Sequence, residues 1–201
     1  MVKLTIVYDN EVFQKGLRSD WGFSCLVEIE RRKILFDTGA DGNILLHNME
    51  KLNINPEDID AVFLSHNHWD HIGGLESLLN VKPDIKIYRP DFSSKPKEFY
   101  PNLLTTGILE GIEQSLMIKT NKGLVVVGGC SHPGLENILS VAREQASIYL
   151  VLGGFHGFNK FDALQDVSLI MPCHCTQHKQ KIMALYPKKS SRCGAGKIVE
   201  I

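Results

Sequence analysis

Short apolar runs, rich in β-branched and aromatic residues, recur along the 201-residue chain between turn residues. Such runs are typical of β-strands, and a run that is apolar throughout is typical of a strand buried on both faces. Asn121-Lys122-Gly123 can supply the positive φ of a hairpin turn between two of these strands. The pattern predicts strands at residues 4–7, 24–28, 34–36, 61–64, 85–88, 115–120, 124–127, 148–152, 168–171 and 197–201.

Segments with apolar residues at helical spacing lie between these strands. Residues 43–52 give the clearest case, because Ile44, Leu45, Met49 and Leu52 fall on one face of a helix. Amphipathic helices of this kind cover a sheet with their apolar face. Further helices are predicted at residues 75–79, 134–146 and 177–185.

Between residues 89 and 114 the periodic signals fade into Pro, Ser, Lys and Gly with scattered aromatic residues. We interpret this segment as a loop in which Phe92, Phe99 and Tyr100 pack down as anchors. The chain has two halves of similar strand and helix content, with no internal repeat or linker. This organisation predicts one domain, residues 1–201, built as an α/β four-layer αββα sandwich with helices outside two facing sheets.

Composition narrows the class of protein. The formal net charge of -1 gives no reason to expect nucleic acid or an anionic membrane as partner. No apolar run approaches the roughly 20 residues of a membrane span, and Met1 leads into a strand without a signal-peptide pattern, so we expect a cytoplasmic protein. The five cysteines include no Cys-x-x-Cys pair and suggest no disulfide framework. We therefore expect reduced thiols and no zinc ribbon.

A polar cluster at residues 66–71, His-Asn-His-Trp-Asp-His, directly follows a predicted buried strand. His66 and His68 are two residues apart, so in an extended chain their imidazoles leave the same face and can bind one metal ion. Asp70 and His71 come just before a Gly-Gly pair that lets the backbone turn, which can direct them to a neighbouring ion. Imidazole and carboxylate ligands favour zinc, with iron or manganese as alternatives.

These residues resemble a known family. The run His66-x-His68-x-Asp70-His71, with Phe36-Asp37-Thr38-Gly39, His132 and His174, resembles the metallo-β-lactamase superfamily over nearly the whole chain. The resemblance implies the metallo-β-lactamase fold and a metal-dependent activity. Stretches similar to one subgroup, the dihydropterin ribofuranosyl-aminobenzene phosphate synthase-like group, lie at residues 22–28, 113–116, 128–132, 153–156 and 172–176. Similarity to this subgroup identifies relatives of the chain but not its substrate.

The resemblance also implies roles for individual residues. It implies that Asp37 is buried behind the ligands and fixes their orientation, although a carboxylate at a strand end can also bind metal or cap a turn. Relatives in the subgroup carry a longer insertion at residues 89–114 that helps to cover the substrate, and this chain has lost most of it. The implied ligands are His66, His68 and His132 for a first ion and Asp70, His71 and His174 for a second.

One expected ligand is missing. Most superfamily members carry a metal-bridging Asp or Cys near Gly154, and this chain has none. Solvent alone could bridge the ions, or His156 could take over part of the task. His156 could equally donate a proton to a leaving group or be a satisfied core residue. His174 points opposite to Cys173 and Cys175 in an extended segment, so we expect both thiols to pack behind it as small buried residues.

Together these observations predict a hydrolase or related transferase with two zinc ions and a small-molecule substrate. A metal-bound hydroxide, oriented by Asp70, would attack an ester, lactone or phosphoester-type bond. An iron-dependent redox protein on the same scaffold is one alternative, because two histidines and a carboxylate suit iron. A non-catalytic metal-binding module is another. A homo-oligomer in which a partner subunit covers the site is also left open.

Overall fold

The computed structural model describes residues 1–201, which form two compact units. The first unit consists of Met1–Arg89 and Cys193–Ile201, and the second of Pro90–Arg192. Each unit contains one six-stranded mixed sheet with helices packed against it. None of the helices combines the length and the apolar character that crossing a membrane requires.

The strands and helices are numbered in chain order. The strands are β1 (Val2–Tyr8), β2 (Ser24–Ile29), β3 (Arg32–Phe36), β4 (Ala61–Phe63), β5 (Lys86–Tyr88), β6 (Lys97–Tyr100), β7 (Leu103–Thr105), β8 (Leu116–Thr120), β9 (Gly123–Gly128), β10 (Ile148–Gly154), β11 (Leu169–Cys173) and β12 (Ile198–Glu200). The helices are α1 (Gly42–Lys51), α2 (Trp69–Ile72), α3 (Leu75–Val81), α4 (Leu135–Arg143) and α5 (Lys179–Leu185). Short 3-10 turns lie at Pro56–Asp58, Pro90–Phe92 and Phe161–Leu164.

The sheet of the first unit has the order β12-β1-β2-β3-β4-β5. The pairs β12–β1, β1–β2 and β2–β3 are antiparallel, whereas β3, β4 and β5 run parallel to one another. The apolar faces of α1 and α3 pack on this sheet, with Leu45 and Leu78 among the fully buried side chains of that layer. Helix α1 begins at Asp41, whose Oδ1 accepts hydrogen bonds from the backbone N–H groups of Asn43 and Ile44.

The sheet of the second unit has the order β11-β10-β9-β8-β7-β6. Strand β10 runs parallel to both β9 and β11, and the other pairs are antiparallel. Helix α4 buries Leu135, Ile138, Leu139 and Ala142 against this sheet, as its helical spacing predicts.

The structure departs from the predictions mainly between residues 89 and 114. Strands β6 and β7 lie there, so the interpretation as a loop is wrong for these residues. Strand β6 is at the sheet edge and its side chains are exposed or half-buried, so its sequence lacks the apolar signal of a central strand. The ring of Phe99 contacts those of Phe92 and Tyr100, with centroids 5.8 and 5.5 Å apart.

Parallel strands place the residues of interest at common sheet edges. In the first sheet Phe36, Phe63 and Tyr88 pair in register at the carboxyl ends of β3, β4 and β5. In the second sheet Gly128, Gly153 and Pro172 do the same for β9, β10 and β11. The segments that carry the predicted ligands all begin directly after one of these ends.

Candidate metal centre

The histidine-rich loop of the first unit follows β4 and turns through α2. Gly73 and Gly74 press this turn against the backbone that follows β3. A Cβ atom on Gly73 would lie 2.1 Å from the carbonyl oxygen of Ala40, and one on Gly74 would lie 2.2 Å from that of Thr38. Both distances are shorter than any real contact, so only glycine lets the two segments approach this closely.

His66 and His68 bring ring nitrogens together as their spacing suggests. Nε2 of His66 lies 3.0 Å from Nδ1 of His68. Two nitrogens bound to one tetrahedral zinc ion at 2.0–2.1 Å would be about 3.3 Å apart. His66 is buried and His68 is exposed. The separation is that of a hydrogen bond between the two rings, and it is close to the spacing of two ligands of one ion.

Asp37 is fully buried and orients two imidazoles. Its Oδ1 accepts a hydrogen bond from the Ser65 amide, and its Oδ2 accepts from the Ser65 hydroxyl and from Nδ1 of His71, each at 2.7 Å. Because the Ser65 hydroxyl gives its proton to Asp37, its oxygen accepts from Nδ1 of His66, 2.8 Å away. Both imidazoles are thus protonated on Nδ1, which leaves the Nε2 lone pair as the metal-binding atom.

Asp70 and His71 form a second pair of ligand atoms in the first unit. Oδ2 of Asp70 lies 3.7 Å from Nε2 of His71, and both residues are buried. The backbone N–H and the hydroxyl of Thr38 both donate to the carbonyl oxygen of His71, at 2.8 and 3.0 Å. These bonds fix the backbone of the helical turn from which the His71 ring projects.

In the second unit a buried carboxylate organises the turn that carries His132. Oε1 of Glu113 accepts hydrogen bonds from the backbone N–H groups of Gly129, Cys130 and Ser131, each at 3.0 Å, and Oε2 accepts from that of His132 at 2.9 Å. Four successive backbone amides point at one carboxylate, as they do in a backbone anion-binding site. Here the bound anion is the side chain of Glu113. Glu113 therefore fixes the backbone from which the His132 side chain projects.

His132 and His156 lie side by side in the second unit. Their ring centroids are 5.1 Å apart and the rings are tilted by 58°. Both residues line a cavity of about 210 Å³ together with Glu136, whose carboxylate pairs with Nζ of Lys160 at 2.7 Å. The cavity also has apolar walls, formed by Leu135, Phe155 and Phe158. His156 is exposed, so the structure does not support its interpretation as a core residue.

The Cys175 thiol contacts both Cys130 and His156. The two sulfur atoms are 3.3 Å apart. The hydrogen bond with the Cys130 thiol holds the pKa of Cys175 below its ordinary value, assisted by the backbone and imidazole of His156 and opposed by burial. This part of the second unit is therefore a polar cluster of two thiols and an imidazole.

The same thiol explains the absent side chain at Gly154. A Cβ atom there would lie 2.4 Å from the carbonyl oxygen of Gly129 and 2.7 Å from Sγ of Cys175. Position 154, where the resemblance led us to expect a bridging ligand, thus has no room for a side chain in this chain. The sulfur of Cys175, which arrives from the end of the neighbouring strand β11, takes that space instead.

His174 belongs to the second unit, whereas the remaining cysteines are divided between the two units. His174 is buried, and one of its ring nitrogens lies within 4.8 Å of Sγ of Cys130. Cys173 and Cys193 are disulfide-bonded, so the expectation of reduced thiols is wrong for these two. Spacing along the sequence could not show which cysteines approach each other in the fold. Cys25, Cys130 and Cys175 are buried thiols.

Four residues of these segments adopt a left-handed backbone although none is glycine. The φ angles are 52° for Asp37, 61° for Ser131, 42° for His156 and 44° for His174. Each such residue costs of order 1 kcal/mol or more and persists only where surrounding contacts impose it. Strain of this kind gathers at functional sites, and here it marks the segments that follow β3, β9, β10 and β11.

A sequence model of the metallo-β-lactamase superfamily matches residues 22–137, more than half of the chain. The chain belongs to the metallo-β-lactamase superfamily. The fold agrees: a metal-dependent hydrolase of the β-lactamase superfamily superimposes with a TM-score of 0.81 at 26% identity, over 100% of this chain and 99% of that one. A metallo-β-lactamase fold protein from Bacillus subtilis superimposes with a TM-score of 0.73 at 14% identity, over 100% and 99%. The predicted metallo-β-lactamase fold is confirmed.

Among characterised sequences, the 7,8-dihydropterin-6-methyl-4-(beta-D-ribofuranosyl)-aminobenzene-5'-phosphate synthase of Methanocaldococcus jannaschii is 28% identical over 98% of this chain and 95% of its own length. The predicted subgroup resemblance is thereby confirmed. The alignment extends over 279 positions, compared with 201 residues in this chain. The relative therefore contains insertions that this superfamily member lacks.

Four residues that contribute to these sites were not predicted from the sequence. Ser65, which connects Asp37 with His66, has no distinguishing pattern around it. Glu113 lies in one of the subgroup-like stretches, and its signal was a carboxylate directly before a buried strand, where an unpaired charge would be costly. Cys175 was expected to be a small buried packing residue, and only its contact with Cys130 across 45 positions shows that the two thiols lie together.

Proposed function

We propose that this superfamily member is a metal-dependent hydrolase or related transferase with two metal ions, most simply zinc. In this proposal residues 1–201 work as one domain on a small-molecule substrate. Asp37 and Glu113 would orient the ligands from behind. The ligands would be His66, His68 and His132 for one ion and Asp70, His71 and His174 for the other.

The observation that carries the proposal is the hydrogen-bond network of Asp37. The Asp37 carboxylate accepts the Nδ1 proton of His71 directly and, through the Ser65 hydroxyl, fixes the Nδ1 proton of His66. A buried acceptor of this kind is the usual arrangement behind metal-binding histidines, and it prepares His66 and His71 to bind through Nε2. The 3.0 Å separation of the His66 and His68 nitrogens supports the same conclusion.

The chain's own groups suit a hydrolytic reaction. Bound zinc would supply hydroxide at neutral pH by lowering the pKa of water to about 7. The Asp70 carboxylate would orient the attacking water by accepting its proton in a hydrogen bond. His156, which lines the cavity beside His132, would donate a proton to the leaving group. The apolar cavity walls would exclude bulk water from the reacting bond.

The relatives support the class of reaction rather than one substrate. The structural relative at 26% identity is a metal-dependent hydrolase, whereas the Methanocaldococcus jannaschii relative is a synthase whose product carries a phosphate. We therefore propose cleavage or transfer at an ester, lactone or phosphoester-type bond. The insertions that this chain lacks argue against transferring the synthase's substrate unchanged.

His68→Ala tests the assignment. We expect it to abolish metal-dependent turnover of chromogenic esters, lactones and phosphodiesters and to lower the metal content, because the first ion loses one of its three imidazoles. Metal content is measured by elemental analysis of protein purified without oxygen. His47→Ala is the matched control, since His47 lies on α1 and contacts the Gly16 carbonyl oxygen.

Two results would overturn the proposal. Unchanged metal content and turnover in His68→Ala would reject the ligand assignment. Stoichiometric iron with an optical signature in the wild-type protein would favour the redox alternative instead.

A further inference from the structure

Two thiols of the second unit lie close enough to be linked, although neither is among the predicted ligands. Sγ of Cys130 and Sγ of Cys175 are 3.3 Å apart, and a disulfide requires about 2.05 Å. We propose that Cys130 and Cys175 form an oxidisable dithiol, which a peroxide converts into an intramolecular disulfide. Closing the gap requires a movement of about 1.3 Å, which small side-chain rotations can provide.

Hydrogen bonds fix the backbone on both sides of this pair. On one side, the Gly154 amide donates to the Gly129 carbonyl oxygen at 3.0 Å, and the Ser131 hydroxyl donates to the Gly154 carbonyl oxygen at 2.7 Å. On the other, the Phe155 amide donates to the hydroxyl of Thr176 at 3.0 Å. The end of β10 thus holds both cysteine-bearing turns, so the short sulfur separation is a property of the scaffold.

The pair is also more accessible than the third thiol. Cys175 is 8% exposed and Cys130 is 4% exposed, whereas Cys25 is 0% exposed. Hydrogen peroxide is little larger than water and can reach a sulfur atom with a small exposed area. Burial also raises the pKa of the Cys25 thiol, which keeps it unreactive. Cys25 is therefore an internal reference for the other two.

The oxidation balances with one peroxide. The Cys175 sulfur attacks one peroxide oxygen, the O–O bond breaks, and the thiol proton leaves with the second oxygen as water, so Cys175 becomes a sulfenic acid. The Cys130 sulfur then attacks the sulfur of Cys175. The S–S bond forms, the S–OH bond breaks, and the hydroxyl leaves with the Cys130 proton as a second water. Two thiols and one peroxide give one disulfide and two waters.

The disulfide would change the surroundings of two predicted ligands. Cys130 precedes His132 by two residues, and Cys175 directly follows His174. Drawing the sulfur atoms together reorients both cysteine side chains and removes the Cys130 thiol from beside His174. This consequence rests on the proposed function, and we expect the oxidised protein to bind zinc about tenfold more weakly, as when groups behind metal ligands are altered.

The test counts thiols in the metal-free full-length protein. The protein is treated with hydrogen peroxide, denatured without reductant, alkylated and analysed by mass spectrometry. We expect two of the three thiols to become inaccessible with a loss of two hydrogens, and a non-reduced digest to contain a peptide linking Cys130 with Cys175. In the Cys25→Ser variant, both remaining thiols should become inaccessible to alkylation after peroxide treatment. Cys130→Ser should instead accumulate a sulfenic acid that dimedone traps on Cys175.

Three alkylated thiols after peroxide treatment would overturn the proposal, as would a new link to Cys173 or Cys193. Zinc affinity is measured separately on the reduced and oxidised forms. Equal affinity of the two forms would overturn the coupling to the metal site. A reduced protein that binds no zinc would contradict the proposed function, while the thiol count still decides whether the dithiol exists.

Discussion

Asp37 accepts hydrogen bonds from the Ser65 amide, the Ser65 hydroxyl and the His71 imidazole, all at 2.7 Å. Ser65 passes this interaction on to His66. A carboxylate suits the position because it offers only acceptors to these three donors. The tautomer of two imidazoles therefore depends on one side chain.

Asp37→Asn should weaken zinc binding by about 10–100-fold, because the amide nitrogen would present a donor to the Ser65 hydroxyl or the His71 imidazole. Competition with a chromophoric chelator measures the change. Asp41→Asn is the control, since asparagine caps a helix as well as aspartate does. An affinity equal to that of the wild-type protein would show that Asp37 does not orient the ligands.

Tyr8 makes the stability of the folded chain depend on pH in the alkaline range. Burial raises its pKa to about 12, and the carboxylates of Asp20 and Asp41 act in the same direction. In the unfolded chain the phenol titrates near 10, so the unfolded state loses its proton first as the pH rises. The contribution of Tyr8 to stability is therefore complete below pH 10 and is lost between about pH 10 and 12.

Tyr8→Phe should remove this dependence. Between pH 8 and pH 11 the free energy of unfolding of the wild-type protein should fall by about 1.4 kcal/mol more than that of the variant. Urea unfolding at the two pH values measures both, and the comparison cancels the titration of lysines and other tyrosines. An equal fall in the two proteins would mean that the Tyr8 phenol ionises as readily in the folded chain as in the unfolded one.

At the scale of elements, the turn after β9 depends on a residue that precedes β8. Glu113 binds four successive amides of this turn. Gly153 and Gly154 of β10 let the two backbones approach closely, because a Cβ atom on either residue would overlap the carbonyl oxygen of Gly128 or Gly129. The Glu113 carboxylate then satisfies the N–H groups of the turn. The strand pair and its turn thus fold as one element.

Glu113→Gln should lower the free energy of unfolding by about 1–3 kcal/mol, because the amide nitrogen would face a backbone N–H and leave a buried donor unsatisfied. Chemical denaturation measures the loss. Glu110→Gln makes the same chemical change at an exposed position nearby and should have little effect. If both variants are equally stable, the four hydrogen bonds of Glu113 do not support the turn.

At the scale of the whole molecule, metal binding should couple to stability. The proposed ligands are dispersed along the chain from residue 66 to residue 174, so an ion that binds only the folded state must stabilise the whole fold. A free zinc concentration of 100 times Kd contributes about 2.7 kcal/mol. For a chain of this length that corresponds to a rise in melting temperature of about 5–10 °C.

Scanning calorimetry of the chelator-treated protein, with and without added zinc, measures this rise. His66→Ala should reduce it because one predicted ligand is lost, whereas His47→Ala should keep it. A melting temperature that does not change with zinc would show that zinc binding is not coupled to folding.

The sequence by itself determined the local elements and the ligand cluster at residues 66–71. Strand and helix periodicity reflects which side chains are buried, and four ligand atoms within six residues need no tertiary information to be recognised. The edge strand β6 was not predicted, because its side chains are largely exposed and its sequence pattern carries no burial signal. The disulfide bonds of Cys173 and Cys193 were not predicted, because the spacing of cysteines does not specify their pairing.

Only the tertiary structure decided which distant groups support the ligands. Asp37 and His71 are 34 positions apart, Glu113 and His132 are 19 apart, and Cys130 and Cys175 are 45 apart. Such contacts arise from the register of neighbouring strands, and a shift of one residue would point every side chain to the other face. Local composition does not encode that register. Contacts between residues so far apart in the sequence therefore become visible only when the sheets have formed.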